Sequence, residues 1–205
     1  MASPVDNGTP TPADQAIMGP AAGSAPRHVE VVPLGRVDQV ALSVIAANLQ
    51  MFTGLLADVT APWPKPDYAL LPARRQYNAL PILKALAADI QDRVLRLGVI
   101  TEDLCLPILS YVFGEAHVNG VCAVVSLFRL RWKQEGKPAA ADLMFERLAK
   151  VAVHEISHVL GLRHCQVPWC LMAFSLGLEQ IDSLSLRFCP SCERFIRRRV
   201  FGPHP

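Results

Sequence analysis

The segment from Ala139 to Leu160 constrains this chain more than any other. Pro138 opens it, and Leu143, Met144, Leu148, Val151, Ala152, Ile156 and Val159 spread apolar surface nearly all round a helical wheel. Such a pattern predicts a helix in the middle of the protein. Inside it lies His154-Glu155-Ile156-Ser157-His158. Residues four apart stand one above the other on a helical face, so both imidazoles can grip one ion. Gly161 can take the left-handed conformation that ends a helix and turns the chain, bringing His164 back beneath that ion. Three protein ligands with a position left for water are what a catalytic zinc needs. Two histidines four apart on a buried helix could also be ordinary core residues. The offsets of Gly161 and His164, and the cost of burying Glu155 in an apolar helix without a cation, weigh against that. With zinc on His154, His158 and His164 and Glu155 as the general base, the predicted reaction is hydrolysis of peptide bonds.

The six cysteines divide into four and two. Cys165 and Cys170 follow directly on His164, and Cys189 and Cys192 come later as a close pair, an arrangement that suits a closed, tetrahedral structural zinc. Metal there would pin the loop that aims His164. Buried free thiols or two disulfides are the alternatives, disfavoured where no secretory signal is present. Cys105 and Cys122 sit among apolar strand residues and read as core.

Upstream, His28 to Leu34 reads as a strand, Val37 to about Thr53 as a helix, Leu55 to Val59 as a short strand and the proline-laden Ala61 to Asp67 as a surface loop. A helix from about Asn78 to Gln91, with Pro81 in its first turn, leads to a buried strand over Val94 to Thr101. Tyr111 to Val118 and Val121 to Phe128 flank Asn119-Gly120, the dipeptide that most readily takes the two positive φ angles of a tight hairpin. The unbroken apolar run of the second strand predicts a sheet covered on both faces. A last short helix is expected near Cys192.

At 205 residues, 51% hydrophobic and 19% charged, the chain suits a single globular domain over residues 28–205, with one lobe ending in the active-site helix near Gly161 and a second over 162–205. Residues 1–27, with five prolines and no basic, apolar leader, read as a flexible tail on a cytoplasmic protein. A net charge of +2 is too small to argue for nucleic acid or an anionic membrane as the main partner, and no apolar run is long enough to span a bilayer. Arg194, Arg197, Arg198 and Arg199 could contact a polyanion, but such a cluster is usually a solvated helix face. A monomer acting on a peptide or protein substrate is expected.

The string HEISHVLGLRHC, followed by Cys170-Leu171-Met172 and Cys189-Pro190-Ser191-Cys192, resembles the archaemetzincin family of metallopeptidases within the metzincins. Weaker similarity runs through Arg74 to Asn78, Tyr111 to Ala116 and Ser126 to Leu130. The resemblance covers about His28 to Arg197. It implies an α/β (α+β), two-lobed zincin fold with a mixed twisted sheet backed by helices, and two zinc ions per chain. His154, His158 and His164 become the catalytic ligands, Glu155 the base, the four cysteines the second site, and Met172 the methionine of the turn below the metal. An edge strand of the sheet is expected to pair with substrate, either Val121 to Arg129 or its hairpin partner. One position departs from astacin-like and serralysin-like relatives: where they carry a tyrosine two residues after the turn methionine, this chain has Phe174. Its tyrosines Tyr68, Tyr77 and Tyr111 lie far upstream in sequence, so an oxyanion helper beyond zinc is not apparent. A zinc-stabilised peptide-binding module without hydrolytic activity is the competing reading.

Overall fold

Alternating apolar strands and amphipathic helices set out the first half of the chain in the computed structural model, which describes Pro26, residues 28–133 and residues 136–202. Apart from Pro26, the predicted tail over residues 1–27 lies outside the described residues. Strand β1 (His28–Leu34) leads to helix α1 (Gln39–Thr53), whose start is set by Asp38. Its carboxylate accepts from the backbone N–H groups of Val40 at 2.7 Å and Ala41 at 3.2 Å. The chain returns as β2 (Leu56–Val59), parallel to β1. Asn78 caps helix α2 (Ala79–Ala87), with Pro81 in the first turn as expected. This helix stops four residues short of the predicted Gln91. Arg96, on strand β5 (Val94–Ile100), donates to the Leu86 carbonyl at 2.7 Å and the Ala88 carbonyl at 3.2 Å, groups that a longer helix would have used itself.

The main sheet has the order β2-β1-β5-β9-β8. Strand β9 (Cys122–Ser126) runs parallel to β5, and β8 (Gly114–Ala116) pairs antiparallel with β9 and forms the edge. Val121 to Arg129 is therefore interior to the sheet, and its hairpin partner carries the free edge. The hairpin falls where predicted, but only Asn119 takes a positive φ, of 60°. Its N–H donates to the His158 carbonyl at 2.9 Å, which ties the hairpin tip to the end of the central helix. The strand predicted over Tyr111 to Val118 is broken at Phe113. Before the break, β7 (Leu109–Val112) belongs to a second sheet, in the order β3-β4-β6-β7, with β3 (Leu70–Leu71), β4 (Gln76–Asn78) and β6 (Leu104–Leu106). A single stretch of chain thus crosses from one sheet to the other.

Helix α3 (Ala141–Val159) packs with α1 on one face of the main sheet, where Val31, Leu97 and Val125 meet Ile45, Leu148 and Ile156. Helix α2 covers the other face through Ile82, Leu83 and Leu86 against Val32, Ile100 and Val124. Both faces being covered explains the unbroken apolar runs of β5 and β9. Cys105 and Cys122 are fully buried, as expected of core residues. Beyond α3 lie α4 (Leu178–Ser183), in a stretch whose sequence shows no clear period, and α5 (Pro190–Phe201). Among the described residues no helix is long and apolar enough to cross a membrane.

Two buried cations on α3 hold the later segment in place. Arg147, 2% exposed, clasps the Asp182 carboxylate with two bonds of 2.6 Å and donates to the carbonyls of Leu130 and Trp132 at 3.0 and 2.8 Å. Lys150 pairs with Glu146 at 2.7 Å and reaches the Ile181 carbonyl at 3.1 Å. Replacing Arg147 with Ala strands a carboxylate and two carbonyls and opens a cavity, so we expect a loss of about 3–5 kcal/mol in urea unfolding. A change below about 0.5 kcal/mol, the range of ordinary surface substitutions, would show that this clasp is dispensable.

Candidate metal centres and cleft

Helix α3 presents His154 and His158 one turn apart, and their ring planes meet nearly at right angles, 84°. Gly161, at φ 104°, ends the helix as its sequence position predicts, and the Leu162 N–H returns to the Ser157 carbonyl at 2.9 Å. That turn has a direct effect on the site, because it delivers the Leu162 carbonyl to Nδ1 of His158 at 2.7 Å. Nδ1 of His154 is held in the same way by the Leu171 carbonyl at 2.8 Å. A carbonyl can only accept, so both Nδ1 atoms carry the proton and both Nε2 atoms present lone pairs. Nε2 of His158 lies 3.0 Å from that of His154 and 3.3 Å from that of His164. A tetrahedral ion with metal–nitrogen bonds of about 2.0–2.1 Å spaces its ligands by about 3.3 Å, so the three rings fit zinc. Burial, and then the neighbouring His158, hold the His154 imidazole down at about 3, which keeps it neutral and ready to ligate.

The four cysteines predicted to group together do so, with Sγ atoms all within 4.8 Å of one another. All are free thiols, which removes the disulfide alternative. Sγ of Cys165 and Cys189 stand 3.8 Å apart, far beyond a disulfide bond. About 3.8 Å is the ligand spacing of a tetrahedral zinc with bonds of about 2.3 Å. Cys189 caps helix α5, whose first helical residue is Pro190. Burial alone would push its thiol up, but the Cys192 backbone N–H, the Cys192 and Cys165 side chains and the Ser191 N–H outweigh it and bring it to about 7. The two clusters share a segment. The Cys165 N–H donates to the Met172 carbonyl at 2.8 Å, and Leu171, next to Met172, holds His154. Met172 itself is fully buried in this turn.

A cavity of about 530 Å³ opens over the histidines. The free-edge strand β8 forms one wall, Glu155 lines it beside the three rings, and Phe174, Leu176 and Ile181 contribute apolar surface. Glu155 is buried, 9% exposed, and burial, then the charge of Glu115, raises its carboxyl well above the usual range. Phe174 stands where expected, its ring 4.9 Å from that of His164, and offers no hydroxyl.

Two cavity residues escape the sequence reading. Tyr111, distant in sequence, reaches the cavity from β7, and its hydroxyl donates to the Leu176 carbonyl at 3.0 Å. The Arg129 guanidinium covers the ring at 3.8 Å while clasping Asp103 with two bonds of 2.7 Å. Glu115, on β8, brings a second carboxyl to the cavity, and burial raises its pKa too. Both residues lie in the Tyr111 to Ala116 segment that carries the weaker family similarity, but nothing in its periodicity places either of them at the cavity. The Ser175 hydroxyl, also at the cavity, is the one buried side-chain polar atom without a partner among the described residues.

A mixed sheet backed by helices, with a histidine triad facing a cleft, defines the class of zinc metallopeptidases. The chain belongs to peptidase family M54, whose model matches residues 71–198. It is 40% identical over 134 residues to the archaemetzincin of Methanocaldococcus jannaschii, covering 65% of this chain and 73% of that protein. With the archaemetzincin of Natronomonas pharaonis it shares 31% identity over 172 residues, 82% of this chain and 99% of the relative. The fold is similar to the crystal structure of the Archaeoglobus fulgidus archaemetzincin, at a TM-score of 0.72 and 34% identity, covering 82% of this chain and 99% of that one. The chain is thus a zinc-dependent peptidase, with peptides or proteins as its substrate class.

Proposed function

We propose that peptide hydrolysis takes place in this cavity, with His154, His158 and His164 holding a catalytic zinc and Glu155 acting as general base. The observation that carries the reading is the convergence of three ring nitrogens, two with their tautomers set by backbone carbonyls, beside a buried carboxylate. Zinc, when bound, supplies polarisation of the scissile carbonyl and acidification of a water molecule. Glu155 takes the proton of the attacking water and returns it to the leaving nitrogen. Its raised proton affinity suits a group that must both accept and give back a proton. The free edge of β8 offers backbone N–H and C=O groups to an extended substrate chain, so the substrate adds as a further strand.

Cys165, Cys170, Cys189 and Cys192 hold a second, structural zinc, making two ions per chain. Through Cys165 this site anchors the loop that carries His164, and Met172, buried in the same segment, serves as the methionine of the turn below the metal. The test is zinc counting coupled to digestion of a peptide library. Two zinc ions per chain are expected, with cleavage lost on chelation and regained on adding zinc. Zinc-replete protein that cleaves nothing, or cleavage that survives complete chelation, would refute the reading.

A further inference from the structure

The Glu155 carboxylate is buried at the cavity wall, with the charge of Glu115 nearby. The atoms that confine it belong to Gly114 on the edge strand. A Cβ built on Gly114 would lie 2.7 Å from Cγ of Glu155, 2.8 Å from its Oε1 and 2.9 Å from its Cδ, all far inside van der Waals contact. Glycine is not there for its backbone freedom, because Gly114 is absent from the positive-φ residues and pairs with Val125 in the ordinary ladder of β8 with β9. Any L-residue could adopt that backbone. What only glycine supplies is space.

Resting on the proposed role of Glu155 as base, we infer that Gly114 is a positioning residue for the reaction: its missing side chain forms the slot in which the Glu155 carboxylate lies. Both walls of the slot are stiff. The residue before Gly114 is held by the Ser126 N–H, which donates to the Phe113 carbonyl at 2.8 Å, and the turn of α3 that carries Glu155 is anchored by Ala152, Val153 and Ile156, all fully buried. An added methyl group is therefore relieved at the compliant end, the rotatable Glu155 side chain, and not by movement of strand or helix. A displacement of about 1 Å at a reacting group is enough to cost about 100-fold in rate.

Gly114→Ala is expected to keep both zinc ions, lower kcat by about 100-fold and leave KM within about twofold. A crystal structure of the metal-free variant should show the Glu155 carboxyl displaced by about 1 Å or more, a readout independent of turnover. Glu155→Asp withdraws the carboxyl from the slot, so adding Gly114→Ala to it should cost less than about fivefold more. Unchanged kcat, a rise in KM alone (the methyl meeting substrate instead), an unmoved carboxyl, or a full second 100-fold loss in the double variant would each overturn the inference. Should Gly114→Ala fail to fold, a folded double variant supports the slot and an unfolded one overturns it. An inactive wild-type protein would count against the hydrolytic reading, while the position of the carboxyl in the variant still decides the slot.

Discussion

Glu155→Gln should retain two zinc ions per chain and an unchanged unfolding midpoint while lowering kcat by about 1,000-fold, within the range that positioned general bases contribute. That factor corresponds to about 4 kcal/mol of transition-state stabilisation. Gln has nearly the shape of Glu, so it fills the space against Gly114 without strain and loses only the capacity to take a proton. The metal ligands should not notice the change. His154 and His158 are oriented by the carbonyls of Leu171 and Leu162, and neither ring depends on Glu155. A zinc count together with initial rates on a fluorogenic peptide separates the outcomes. Loss of zinc would mean that Glu155 is an architectural partner of the site, and full turnover would leave the base unassigned. The second result is also what a peptide-binding module with purely structural metals would give for any residual hydrolysis, since such a site has no use for the carboxylate.

How far the site could be read from sequence follows the range of the interactions that build it. His154, Glu155 and His158 lie within two turns of one helix, and Gly161 acts through its own φ, so local periodicity and one backbone rule bring the triad together. The four cysteines are readable for a related reason: thiolates have few structural uses in pairs, and their spacing limits what they can bind. Tyr111, Gly114 and Glu115 obey no such local rule. They reach the cavity because the chain leaves one sheet at Phe113 and enters another, and because β8 takes the edge beside β9. Both pairings are local hairpins, but the sheets they extend are set by distant residues, since β6 pairs with β4 at Tyr77 and Asn78, and β9 pairs with β5 from Arg96 to Ile100. Periodicity shows a continuous strand there and cannot show the switch. The C-terminal end of α2 is hidden from periodicity for a similar reason, since the carbonyls at that end are satisfied by Arg96, which arrives from β5.

The loss of one thiolate should be felt at both metal centres. Cys189→Ser is expected to remove one zinc per chain and to destabilise the protein by several kcal/mol, because binding energy at a structural zinc is folding energy. The hydroxyl that replaces the thiol is a poor ligand at neutral pH, whereas the Cys189 thiol, at the start of α5, is already held near 7 and ionises readily. Three of the four sites would then face one another without a closed shell. Cys165 would lose its partner 3.8 Å away, and with it the anchor of a segment that begins one residue after His164. The same segment supplies the Met172 carbonyl to Cys165 and the Leu171 carbonyl to His154. The catalytic zinc should accordingly bind about 10–100-fold more weakly, the usual effect of disturbing the groups that orient metal ligands. Chelator titration of wild type and variant measures both effects, as one zinc absent at the outset and the other released at lower chelator concentration. A variant that keeps two ions and its full unfolding midpoint would exclude a four-cysteine zinc. One that loses a single ion but holds the other as tightly as wild type would show instead that the cysteine site stabilises the fold without aiming His164.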